Sequence, residues 1–129
     1  PVAKPTVVTA AEKVEAIEAT PAPSVAPVAA SGGCEAFRTI VSEFDWDVSI
    51  AMAVMRAESG CRPDAYNGSN YNGSNDAGLF QINSIHVESG LITDSGRMDA
   101  KENVRAAYAI YRGSGWKAWS VCSAKINCN

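Results

Sequence analysis

Every aromatic side chain and every cysteine of this 129-residue chain lies after residue 33. Five of the six prolines (Pro1, Pro5, Pro21, Pro23 and Pro27) lie before it, among Ala, Val, Thr and Ser. A segment without aromatic side chains buries too little apolar surface to offset the entropy of ordering it. Residues 1–33 therefore read as a flexible linker, extended where proline is dense. Within it, residues 12–19 (E-K-V-E-A-I-E-A) could form only a transient helix, because so short a helix is marginal in water. Any compact fold must come from residues 34–129, enough for one domain with a modest core.

Four cysteines in so small a domain favour disulfides, and hence an exported protein. Three pairings are possible. Cys34 opens the domain and Cys128 nearly closes it, so that pair would tie the termini together. Cys61 with Cys122 would then fasten the middle of the domain to its C-terminal segment. There is no C-x-x-C pair, and His86 is the only histidine, so neither a metal nor another cofactor is expected. The sequence has no apolar run of membrane-spanning length, and neither a signal peptide nor an anchor is expected within it. A net charge of −3 gives no electrostatic reason to expect nucleic acid as a partner. A monomer is expected.

Residues 35–44 read as a first helix, with Phe37, Ile40, Val41 and Phe44 on one face. Asp45 or Asp47 can cap a second helix, apolar nearly all round, which Gly60 stops near Ser59. Then Y-N-G-S-N occurs twice in succession, at 66–70 and 71–75, each copy holding an Asn-Gly pair suited to tight hairpin turns. Both copies match the N-x-S glycosylation pattern, yet turn formation is the reading preferred for them. Residues 65–83 are expected to form a small antiparallel β region, and residues 82–87 a short helix. Asp99 is placed to cap a helix through Arg112 that Gly113 ends, with Val104, Ala107, Tyr108 and Tyr111 on one face. An aromatic-rich segment at 115–121 closes a mostly helical α+β domain.

Glu58 lies three, four and seven residues after Met55, Val54 and Ala51, so it continues an apolar stripe instead of facing water. Desolvation disfavours an ionised carboxylate and raises its pKa, which equips Glu58 to donate a proton to a glycosidic oxygen. Pairing with Arg56 or Arg62 is the structural alternative, but Arg56 points to another face and Arg62 lies beyond the helix break. Asp76 stands in polar company with Asn72, Ser74 and Asn75, which is expected to keep it ionised. An ionised Asp76 could serve as nucleophile or as support for a sugar cation, although Asp in an Asn/Gly/Ser turn can be a turn residue only. Gly78, Gln81 and Asn83 are candidate groove residues, since sugars need amides that donate and accept and little bulk near the backbone. Trp116 is the candidate for stacking on a sugar, with Tyr111 beside it, while Trp119 is assigned to the core and His86 to the rim.

In order, these motifs resemble the lysozyme superfamily over residues 34–128. E-S-G after an apolar helix, G-L-F-Q-I-N and D-A-K-E-N-V are similar to signatures of soluble lytic transglycosylase domains. D-A-G-L-F-Q-I-N-S resembles the lysozyme segment carrying the second catalytic aspartate, and G-W-K-A-W the segment whose first tryptophan lines the sugar groove. The resemblance implies a lysozyme-like fold, with a cleft between helical and β parts. It also implies a secreted or wall-associated enzyme, bacterial in origin, that cuts the β-1,4 bond between N-acetylmuramic acid and N-acetylglucosamine in peptidoglycan glycan strands. Two departures stand out: Ile85 and His86 occupy the place of an expected paired tryptophan, and the cysteines number half those of animal lysozymes. Three functions compete. They are hydrolysis through Glu58 and Asp76, lytic transglycosylation through Glu58 alone with an anhydro product, and glycan binding without catalysis.

Overall fold

The computed structural model describes residues 33–128, so the expected linker (Gly33 apart) and the transient helix at 12–19 lie outside the described residues. The chain divides into two units, Pro1–Ala36 and Phe37–Asn129, and the second carries nearly all the described secondary structure. The first expected helix is broken. A 3-10 turn, Gly33–Phe37, leads into a single α-turn, α1 (Arg38–Val41). Trp46 gives the physical reason. Its buried indole needs an acceptor, and its Nε1 donates to the Val41 carbonyl at 2.8 Å, turning the chain back at that point.

Helix α2 (Val48–Ser59) is the core helix. Of the two candidate caps, Asp47 accepts from the Ile50 amide at 3.0 Å, and Gly60 ends the helix in the left-handed region at φ 63°. Ala51, Met52, Val54 and Met55 are buried. The β region is an antiparallel sheet of three short strands, β1 (Tyr66–Asn67), β2 (Asp76–Ala77) and β3 (Ile82–Asn83), in that order. Its register sets Asp76 between Asn67 on one neighbour and Asn83 on the other. The two repeats do fold alike, but not around a central Asn-Gly pair. Each asparagine accepts from the serine two residues on, Asn67 from Ser69 at 3.1 Å and Asn72 from Ser74 at 3.0 Å. At the hairpin tip Gly73 donates to the Asn70 carbonyl and takes φ 85°, placing Tyr71 and Asn72 at the centre of the turn.

Residues 82–87 divide between β3 and a short helix α3 (Ile85–Glu88), because pairing with Ala77 and Asp76 holds Ile82 and Asn83 extended. Helix α4 (Ala100–Ser114) is capped by Asp99, which accepts from the Glu102 amide at 2.9 Å. It passes through Gly113 and stops at Gly115, whose φ is 73°. The segment after it forms a 3-10 turn, Gly115–Ala118, followed by extended Trp119 and a wide π-type turn, Cys122–Ile126.

The expected disulfide pairing is corrected. Cys122 is bonded to Cys128, Cys34 and Cys61 are also in disulfide linkage, and no cysteine is free. The π-type turn is the cause: with Asn127 at φ 60°, the Cys128 amide reaches the Cys122 carbonyl at 3.1 Å and the two Cα atoms come within 5.0 Å.

Helix and sheet are joined by a buried polar contact. Asn103 of α4, fully buried, accepts from the Phe80 amide at 2.8 Å and donates to the Ala77 and Arg97 carbonyls at 3.0 and 2.8 Å. Gly78 lies against that carboxamide at φ 86°; a Cβ there would come 1.9 Å from the Arg97 carbonyl oxygen. Gly78→Ala is therefore expected to destabilise by roughly 3 kcal/mol or more. Gly113→Ala, inside α4 with nothing within 4 Å of its added carbon, should instead stabilise by up to about 1 kcal/mol. Urea unfolding midpoints of the two variants check both signs.

Candidate active site

Helix α2 delivers Glu58 and strand β2 delivers Asp76 to one cavity of about 270 Å³. The rest of the lining comes from Gln81, Ile82, Asn83 and His86 and from Ile110, Ala118, Trp119 and Ser120. All these residues belong to the unit Phe37–Asn129.

The two carboxyl groups have opposite surroundings. Glu58 makes no hydrogen bond or ion pair among the described residues. Arg56 is exposed, and Arg62 is turned to Asp64 at 3.7 Å. The Glu58 pKa is raised from 4.5 to about 7, first by burial, then by the negative charge of Asp76, with Lys125 opposing both. Asp76, by contrast, is held by two amide donors, Asn70 Nδ2 to Oδ2 at 2.9 Å and Asn83 Nδ2 to Oδ1 at 2.8 Å. Both amides also donate to the Ser74 hydroxyl, which in turn donates to Asn72 at 2.7 Å. The result is an acid kept protonated near neutral pH beside a carboxylate fixed in place.

The candidate binding residues fall into three groups. Gln81 and Asn83 line the cavity, and both are tied down. Gln81 sits at φ 50° with Nε2 donating to the Ala65 and Gly78 carbonyls, each at 3.1 Å. A positive φ in a non-glycine residue is strain of the kind that persists only where neighbours enforce it. Asn83 orients Asp76, and its Oδ1 accepts from the Ile85 amide at 3.0 Å. Gly78 lies outside the cavity lining; it is buried, and its missing side chain makes room for Asn103.

Trp116 and Tyr111 also lie outside the lining, in an aromatic cluster where Trp116 stacks on Trp46 at 5.5 Å and meets Tyr111 at 4.5 Å. Trp119 is buried, as assigned: it is 6% exposed, donates from Nε1 to the Phe80 carbonyl at 3.0 Å, and is also among the residues that line the cavity. The backbone at Trp119 is extended, at φ −112° and ψ 116°.

Sequence reasoning missed Asn70, Ile110, Ala118 and Ser120; His86, which it set at the rim, is among the residues that line the cavity. Ile110 had a signal, lying three residues after Ala107 on α4. Asn70 had none, since it reaches Asp76 only through the folded hairpin. Among the described residues no group of three or more His, Cys, Asp or Glu converges to hold a metal ion, and no helix is long and apolar enough to cross a membrane.

A helical domain with a three-strand sheet and a cleft bearing one half-buried and one hydrogen-bonded carboxyl is the architecture of the lysozyme class. The family profile described as "Lysozyme like domain" matches residues 41–121, more than half of the chain, and the chain belongs to this family. Lysozyme E of Drosophila melanogaster is 37% identical over 79 residues, covering 49% of this chain and 54% of that protein. The chain thus spans about half the length of that curated relative. The crystal structure of a lysozyme from Litopenaeus vannamei aligns with a TM-score of 0.62 at 27% identity, over 76% of this chain and 88% of that one. A lysozyme from Equus asinus aligns with the same TM-score at 24% identity, over 75% and 88%, and supports the fold alone. These relatives are animal proteins and lend no support to the expected bacterial origin.

The raised Glu58 pKa has a consequence for stability. A carboxyl whose folded pKa lies above its unfolded one favours folding fully below pH 4.5, and that contribution is lost as pH rises through about 7. Glu58→Gln removes the penalty. Allowing for solvent screening of a half-buried group, the variant should be roughly 1–2 kcal/mol more stable than the parent at pH 8. Thermal unfolding at pH 4 and pH 8 measures this: the two proteins should lie closer together at pH 4.

Proposed function

We propose that the domain is a muramidase-type glycosidase that cleaves the β-1,4 bond between N-acetylmuramic acid and N-acetylglucosamine in peptidoglycan. The observation that carries this reading is the unequal treatment of two carboxyl groups in one cavity, Glu58 desolvated and unpaired, Asp76 held by Asn70 and Asn83. Protonated Glu58 donates to the leaving glycosidic oxygen. Asp76 then stabilises the developing oxocarbenium ion by its charge or captures it as a nucleophile. The match to lysozymes from fly and shrimp supports the same chemistry. An exported protein is the setting that suits its disulfide-bonded cysteines.

Glu58→Gln should abolish lysis of purified walls, and Asp76→Asn should slow it at least tenfold, about 1.4 kcal/mol of barrier. The mass of the released muropeptides separates hydrolysis from transglycosylation. Products with a reducing end carry the added water, whereas anhydro products are lighter by one water and would place the reaction on Glu58 alone. A protein that binds walls but releases nothing would be a binding module.

The pH dependence follows from Glu58. Since the acid must be protonated to act, kcat/KM should fall on the alkaline side of a pKa of about 7. A rate that continues to rise above pH 8 would rule out Glu58 as the proton donor.

A further inference from the structure

The two copies of Y-N-G-S-N carry the same Asn-Gly pair. Asparagine is a chemically labile residue, and a following glycine, with no side chain in the way, leaves its carboxamide most open to attack by the backbone. The reaction requires the glycine nitrogen to reach the asparagine Cγ, so the engagement of that nitrogen decides the outcome. In the second copy it is engaged: the Gly73 N–H donates to the Asn70 carbonyl at 3.0 Å across the hairpin tip. The Asn72 carboxamide is held as well, its Oδ1 accepting from the Ser74 amide at 3.0 Å and from the Ser74 hydroxyl at 2.7 Å. In the first copy the Gly68 N–H has no hydrogen-bond partner among the described residues, and the Asn67 Oδ1 accepts only from the Ser69 amide at 3.1 Å. Asn67 and Gly68 are both exposed. Asn67 also ends β1, an edge strand two residues long, whose last residue is released at little cost.

We propose that Asn67 is a site of spontaneous covalent modification, that its twin Asn72 is spared, and that the change at Asn67 loosens Asp76. The Gly68 nitrogen gives its proton to solvent and bonds to the Asn67 Cγ. The Cγ–Nδ2 bond breaks, ammonia leaves, and a cyclic imide closes. Water then adds to either imide carbonyl and opens the ring, leaving aspartate or, with the chain rerouted through the side chain, isoaspartate. The balance is one water consumed and one ammonia released, with no oxidant and no enzyme. The consequence for the cleft rests on the glycosidase reading above. Asn67 Nδ2 donates to Asn70 Oδ1 at 3.5 Å, and Asn70 Nδ2 holds Asp76 Oδ2 at 2.9 Å. Asn67 also stands opposite Asp76 in the strand register. The modification removes a donor that steadies Asn70 and sets a second carboxylate across from Asp76, where like charges repel. The first repeat is therefore a slow clock acting on the cleft, and the turn hydrogen bond of the second repeat protects it from the same reaction.

The test incubates the full chain at pH 8 and follows both asparagines over time by fragmentation mass spectrometry, which locates the mass gain of exchanging an amide for an acid. Enzymatic methyl transfer to isoaspartate counts the rerouted product. Asn67 should convert roughly tenfold faster than Asn72, the factor supplied by one further hydrogen bond to break. Gly68→Ala adds a carbon that meets only the ring of exposed Tyr66, at 2.9 Å, which can move aside. That variant should slow conversion at Asn67 by at least about tenfold and leave Asn72 unchanged. No conversion at Asn67, equal rates at the two asparagines, or faster conversion at Asn72 overturns the assignment. Undiminished conversion in Gly68→Ala overturns it too. Lysis of purified walls by Asn67→Asp should fall severalfold below wild type; lysis as fast as wild type overturns the effect on Asp76. Conversion is read by mass and not by activity. A wild type that fails to lyse walls therefore removes the glycosidase reading, while the assignment to Asn67 is still decided by its own readout.

Discussion

Buried between α4 and the sheet, the Asn103 carboxamide accepts one hydrogen bond and donates two, to three separate backbone positions. Those positions lie on the chain that carries Asp76 and Gln81 and on the turn that precedes α4. An unpaired buried amide is costly, whereas one with its donors and acceptor engaged fixes a unique packing. Gly78 is the complement of that arrangement, since any side chain there would displace the carboxamide. Arg97 extends the same joint. Only 3% exposed, it donates to the Ile82 carbonyl at 2.9 Å and to the Asn75 side chain at 2.8 Å, with Asp94 at 2.6 Å. The strands are only two residues long, so ladder hydrogen bonds alone would hold them weakly. Side chains from outside the sheet set the position of Asp76 across from α2.

That positioning matters because the cavity works by contrast. Glu58 receives no donor and is desolvated; Asp76 receives two donors and is held. Each also acts on the other, since the charge on Asp76 is part of what keeps a proton on Glu58. The folded state tolerates a carboxyl group in a place that disfavours its charge.

How much of this was legible beforehand depended on the range of the interaction. Asp47, Gly60 and Asp99 announce helix ends through contacts three or four residues long, and these are where the chain places them. Glu58 was readable for the same reason, as a single position on a regular helical stripe. Interactions that span the folded domain left no such mark. Asn103 looks like an ordinary polar residue in the first turn of α4 until the sheet packs on it. That Trp119 reaches the cavity while buried turns on one extended residue after a 3-10 turn, which no periodicity encodes. The disulfide partners were misjudged because proximity was inferred from the ends of the domain, whereas a local reversal at Asn127 brings Cys128 back to Cys122.

Trp119 has a further consequence. Its indole N–H is anchored to the Phe80 carbonyl, and the residue is part of the lining of the cavity. Occupancy of the cleft would thus alter the polarity around one fixed indole, and with it that indole's emission. Trp116 stacks on Trp46 and also meets Trp119 at 5.9 Å, so the three indoles form one connected group behind the wall. The domain carries its own optical gauge of whether the cleft is filled.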